Sequence, residues 1–213
     1  MIIDAGSGDH AARTAFVARY EPALRRYIAA RWRLALNHEQ VLDATQEVIL
    51  ECLKENGALS RVDRECNSGF RAFLYGVARN VSLRVEQRRK RRALSSLTPD
   101  LVSVDERHLS AVFDSAFAQV LVSEALEILQ QQGTSEGGSL KWQLLEMNHV
   151  DGMPARAIAE ARSLAVTQVY KLLHAARRDF RNALLQVLSV QHPGMNLPEL
   201  EDEMRSLLGA LGE

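Results

Sequence analysis

The stretch from Gly152 to Arg181, GMPARAIAEARSLAVTQVYKLLHAARRDFR, constrains the chain more than any other, because it holds two helical patterns separated by only a tight corner. The first carries Ile158 and Ala159 after Pro154, a residue suited to an opening helical turn. The second places Val169, Leu172, Leu173, Ala176 and Phe180 at i, i+3, i+4, i+7 and i+11, the apolar stripe of an amphipathic helix. Thr167, Gln168, Tyr170, Lys171 and His174 fall outside that stripe, with Arg177, Arg178 and Arg181 beyond. This is the pattern of a helix-turn-helix whose second helix suits a DNA major groove. The same pattern also serves plain core packing. Ser163 and Ala165 stand where a corner glycine and a Ser or Thr cap are expected, so the rest of the chain has to discriminate.

With 213 residues there is room for one large or two small domains. A hydrophobic share of 46% and a charged share of 25% are ordinary for a globular protein. Strand-like alternation never runs far, so an all-α fold is expected. The sequence shows no run of bilayer length and no basic-then-apolar start, which predicts a cytoplasmic protein without membrane insertion. Cys52 falls on an apolar helix face and reads as core, whereas Cys66 falls in a loop; their spacing matches no zinc or redox motif. The six His are scattered, and no glycine-rich phosphate loop follows a strand, so neither an enzyme nor a metal or other cofactor is expected.

A formal net charge of −1 conceals segregation. From Arg71 to Arg92 eight basic residues face one acid, Glu86, whereas from Thr98 to Glu136 seven acids face one base, Arg107. Such blocks point to a polyanion-binding element beside a segment that binds none.

In chain order, residues 1–10 read as an unanchored start with Asp9 as a cap. A helix over His10 to Leu34 follows, which Pro22 should kink or break. A helix over His38 to Lys54 shows Asp43, Gln46, Glu47 and Glu51 opposite its apolar face. A polar loop from Asn56 to Gly69 leads into Phe70 to Arg92, where Phe70, Phe73, Leu74, Val77, Ala78, Val81 and Val85 form one stripe. Its other side carries Arg79, Asn80 and Arg84, and it ends in Arg88, Arg89, Lys90, Arg91 and Arg92, more cation than a helix dipole needs. A Ser, Thr, Pro and Asp-containing linker covers 93–112. Helices over Phe113 to Gln132 and Leu140 to Val150 follow, parted by GTSEGGS. Beyond Val190, Pro193, Gly194 and Pro198 mark a hinge before a short amphipathic helix with Leu200, Met204, Leu207, Leu208 and Leu211, which must be covered by this chain or by a partner.

This order of parts resembles the sigma factors of bacterial RNA polymerase, in the two-domain extracytoplasmic-function group. The likeness covers about Phe16 to Leu188. It rests on Asp43-Ala44-Thr45-Gln46-Glu47, on Phe70-Arg71-Ala72-Phe73-Leu74 with Ala78-Arg79-Asn80, and on Gly152, Ile158-Ala159-Glu160 and Val169 through Arg177. The resemblance implies a region-2-like domain at 1–92, a linker at 93–112, a region-4-like helix-turn-helix domain at 113–189 and a C-terminal extension at 190–213. It further implies that Asp43, Gln46, Glu47 and Glu51 dock on the polymerase clamp helices. The Asn56–Gly69 loop with Arg79, Asn80 and Arg84 would open and read the minus-ten element, with Arg88 and Arg89 as DNA contacts at phosphates. Thr167, Gln168, Tyr170 and Lys171 would read the minus-thirty-five element, with Arg177, Arg178 and Arg181 near phosphates and His174 in a structural or phosphate-contacting place. The implied partners are core RNA polymerase, through its clamp helices and flap, promoter DNA, and an anti-sigma factor as a candidate. Arg84 and Phe73 depart from the family's usual Asp and Trp, and the extension is an addition to it. The alternatives are a free-standing helix-turn-helix regulator with a helical sensor or dimerisation domain, and a helical interaction protein without a DNA role. A tail folded back on the other domains would restrain them.

Overall fold

The computed structural model describes residues 2–55, 57–59, 69–93, 105–132, 136–149, 151–192 and 194–211, and among these the protein is all-α. The chain forms two compact units. The first comprises Met1–Val120 with Gln191–Glu213, the second Leu121–Val190.

In the first unit α1 (Ile2–Ser7) packs on α2 (His10–Trp32) and α3 (Glu39–Leu53), with Ala5 fully buried. The expected unanchored start is therefore a short helix. Asp9 caps α2 as expected, accepting from the Ala12 N–H at 2.6 Å. Pro22 neither breaks nor ends α2, because its ring lies on the exposed side, where the missing N–H faces water. α2 ends at Arg33, which holds a left-handed φ of 52° while its N–H and that of Leu34 return to Ala30 and Ala29. This is a Schellman closure.

α4 (Gly69–Ala93) buries Phe70, Leu74, Ala78, Val81 and Val85 of the expected stripe, and leaves Phe73 and Val77 half-buried. α5 (Glu106–Gln132) begins seven residues before the expected linker ends. Asp105 caps it, accepting from the Arg107 N–H at 2.9 Å, and Leu109 is fully buried one turn on. The expected domain boundary shifts for the same reason. Phe113 and Phe117 belong to an aromatic cluster with Phe16, Tyr20, Tyr27, Phe70 and Tyr75, in which Tyr20 stacks on Phe117 at 5.8 Å. By length and composition α5 is apolar enough to cross a membrane, contrary to the reading of the sequence, yet Leu109, Phe113, Ala116 and Phe117 are buried in the first unit and Leu121, Ala125 and Leu129 in the second.

The second unit takes the rest of α5, α6 (Glu136–His149), α7 (Ala155–Ala161) and α8 (Val166–Gln191) up to Val190. Gly137, Gly138 and Ser139 start α6 rather than separate two helices, and residues 133–135 lie outside the described ones. Its core joins Leu144, Ala155, Ile158, Ala159, Val169 and Leu173, with Leu140, Met153, Leu164 and Leu172 against it. After α8 the chain returns to the first unit with Gln191 and His192 and forms α9 (Leu197–Gly209). Asn196 and Glu199 close α9 with a reciprocal capping box.

Candidate functional site

The helix-turn-helix is built as its pattern predicts. α7 stops because Ser163 adopts φ 53° and the N–H groups of Ser163 and Leu164 return to Glu160 and Ala159, a second Schellman closure. Leu164 then packs on the core and turns the chain into α8. Ala165 offers no side-chain cap. Instead the Gln168 Oε1 reaches back to accept the Ala165 N–H at 3.1 Å, which satisfies one donor of the helix entrance.

Val169, Leu173 and Ala176 are fully covered and Leu172 and Phe180 partly so, which fixes the rotation of α8 about its axis. Thr167, Tyr170, Lys171, His174, Arg177 and Arg178 are exposed. They recur at i, i+3, i+4 and i+7 and form one face, with Tyr170 60% exposed near its start. Gln168 is exposed too, but lies off this face and is engaged in capping. Arg177 donates to the Asn148 Oδ1 at 2.8 Å, and Asn148 donates to the Met153 carbonyl, so the cation is held by the segment that leads into α7. Arg178 sits 3.6 Å from Asp179, whose other oxygen pairs with Lys141.

The cations of α4 do not form the single face expected. Arg79 turns toward α5 and meets Glu106 at 3.1 Å. Glu106 also takes the Tyr75 hydroxyl and Arg31; burial works against its charge, but the two arginines outweigh it and hold its carboxyl below the usual range. Arg89 lies over the Trp32 ring at 4.0 Å, where burial lowers its pKa. Trp32 Nε1 and Arg31 both donate to Glu86, at 2.8 and 2.7 Å. Arg89 is therefore packed into the first unit, whereas Arg79 is held only by an exposed ion pair.

Asn80, Arg84 and Arg88 share an exposed side of α4 with Gln87 and Arg91. The acids of α3 meet them there. Arg84 donates to Glu51 at 3.0 Å, and Arg88 pairs with Glu47. Lys54 joins Glu51 at 2.9 Å, and the two cations hold that carboxyl below its ordinary pKa. Two surfaces expected to serve different partners are thus one mixed-charge groove of about 480 Å³, with Leu50 65% exposed at its edge. Asp43 and Gln46 are exposed on α3. Each such exposed pair contributes about 0–1 kcal/mol, so a stronger anion or cation exchanges for one member at little cost. The sequence reading missed Leu50 and these counterions; the matched α3 acids and α4 bases were the signal, but only helix packing brings them together.

Of the Asn56–Gly69 loop, Asn56 and residues 60–68 lie outside the described residues. Among the described residues no group of three or more His, Cys, Asp or Glu side chains could hold a metal. A scan against family models, a search of curated proteins and a search of solved structures each found no match.

Proposed function

We propose that this chain is a sigma factor, a specificity subunit rather than an enzyme, which joins core RNA polymerase in the cytoplasm and directs it to promoters. The observation that carries the reading is the face of α8, where a closed helix-turn-helix presents Thr167, Tyr170, Lys171 and His174 with Arg177 and Arg178 behind them. Hydroxyl, ammonium and imidazole groups address base edges in a major groove, and guanidinium groups address phosphate. The groove between α3 and α4 supports a second contact. Asn80, Arg84 and Arg88 suit a single strand, and Asp43, Gln46, Glu47 and Glu51 suit a basic polymerase element. Because these acids and bases neutralise each other in the free chain, little promoter binding is expected without polymerase. Run-off transcription with core polymerase, with and without the purified chain, tests the proposal. Chain-dependent initiation supports it. A chain that shifts a specific duplex alone and never joins polymerase is a free-standing regulator instead.

A further inference from the structure

Two contacts tie the C-terminal segment to the head of α4 and a third ties it to α2, and none of them serves the surfaces described above. Arg71, in the first turn of α4, divides its guanidinium between Asp114 of α5 at 2.6 Å and Glu203 of α9 at 3.0 Å. The buried ring of His192 lies against Gly69, where a Cβ would come within 2.2 Å of its Cε1 and where φ is +69°, so only glycine admits it. Gln191 donates to the Tyr20 hydroxyl at 3.0 Å.

The attachment is nonetheless slight. α9 buries Leu200, Met204 and Leu207 and leaves Leu197, Leu208 and Leu211 exposed. The Oε1 of Gln191 and the Nε2 of His192 are buried without a hydrogen-bond partner among the described residues, which makes the docked arrangement costly to hold. A helix of 13 residues is marginal by itself, so this segment belongs to the least stable part of the unit. It is also acidic, with Glu199, Glu201, Asp202 and Glu203 against Arg205, and it docks on the helix that carries the basic block. Carboxylates held there lie about 20–30 Å along α4 from Arg84 to Arg91, so they oppose the approach of a polyanion through the long-range field that low salt leaves unscreened.

We propose that Gln191–Leu211 is a detachable acidic latch on the head of α4 that lowers the affinity of the first unit for nucleic acid until it is released. The inference rests on reading the cations of α4 as nucleic-acid contacts. The test is full-length Met204→Ser/Leu207→Ser, followed by hydrogen exchange and by anisotropy with a single-stranded DNA oligonucleotide and with heparin at low and high salt. The expected result is loss of protection confined to 191–211 with several-fold tighter binding at low salt, a gain that shrinks at high salt. A released segment with unchanged or weaker binding overturns the latch, as does a segment that stays protected. Glu203→Gln, which leaves the apolar contacts alone, should give a smaller gain in the same direction, and no gain counts against the idea. Tighter binding by a chain that directs no transcription preserves the latch and removes only the promoter reading.

Discussion

Two side chains, Arg33 and Ser163, hold left-handed backbone at helix ends where glycine is the natural occupant. A left-handed L-residue costs about 1–2 kcal/mol, so Ser163→Gly should stabilise the second unit by about 1 kcal/mol despite added freedom in the unfolded chain. A rise in the denaturant midpoint of that unit, with helix content unchanged, checks this. The left-handed corner for which a helix-turn-helix calls on glycine is thus formed here by Ser163, under strain. Glu86 shows the opposite economy, one carboxylate serving Trp32 and Arg31 at once. Glu86→Ala should cost about 2–3 kcal/mol, because it strands charge-assisted donors in a partly buried site, and thermal unfolding of the first unit reads the loss. Cys52 reads as core from its place on an apolar face, and it is: burial pushes its thiol up to about 12. Its alkylation should therefore wait for unfolding.

At the scale of elements, α3 and α4 are linked through charge. On the proposed function, replacing Glu47 and Glu51 with Gln frees Arg84 and Arg88 and should raise affinity for single-stranded DNA a few-fold at low salt while weakening capture by polymerase. Equal or lower DNA affinity in an anisotropy titration would show that the arginines are not the DNA contacts. α9 carries its own pH dependence through His192. Burial lowers the pKa of this ring from its ordinary 6.5, with Arg71 acting in the same sense and Glu203 against it, while Asp114 faces Arg71 from α5. A depressed pKa favours the neutral ring in the docked state. Docking is therefore at full strength above about pH 6.5 and is lost as pH falls through the lower folded value. The hydrogen-exchange protection factors of 191–211, corrected for the slower intrinsic exchange in acid, should fall below that pH, and His192→Gln should remove the dependence.

In the whole molecule, the proposed function requires that affinity for nucleic acid fall with salt, and each phosphate contact removed from a single-strand complex should lower the log–log slope by about 0.7. Arg84→Ala and Arg88→Ala test this. The sequence by itself determined the all-α character, most helix positions, the closed helix-turn-helix and the exposed set from Thr167 to Arg178, since these follow from periodicities that local backbone geometry imposes. Of the C-terminal apolar face, Leu200, Met204 and Leu207 are buried as expected, whereas Leu208 and Leu211 are exposed, and its place was not legible. Only the tertiary structure decided that α5 begins at Glu106 and lends Phe113 and Phe117 to the first unit, that Glu47 and Glu51 neutralise Arg88 and Arg84, and that α9 returns to Arg71. Each of these joins side chains far apart in the chain, and periodicity along one helix carries no information about which other helix will meet it.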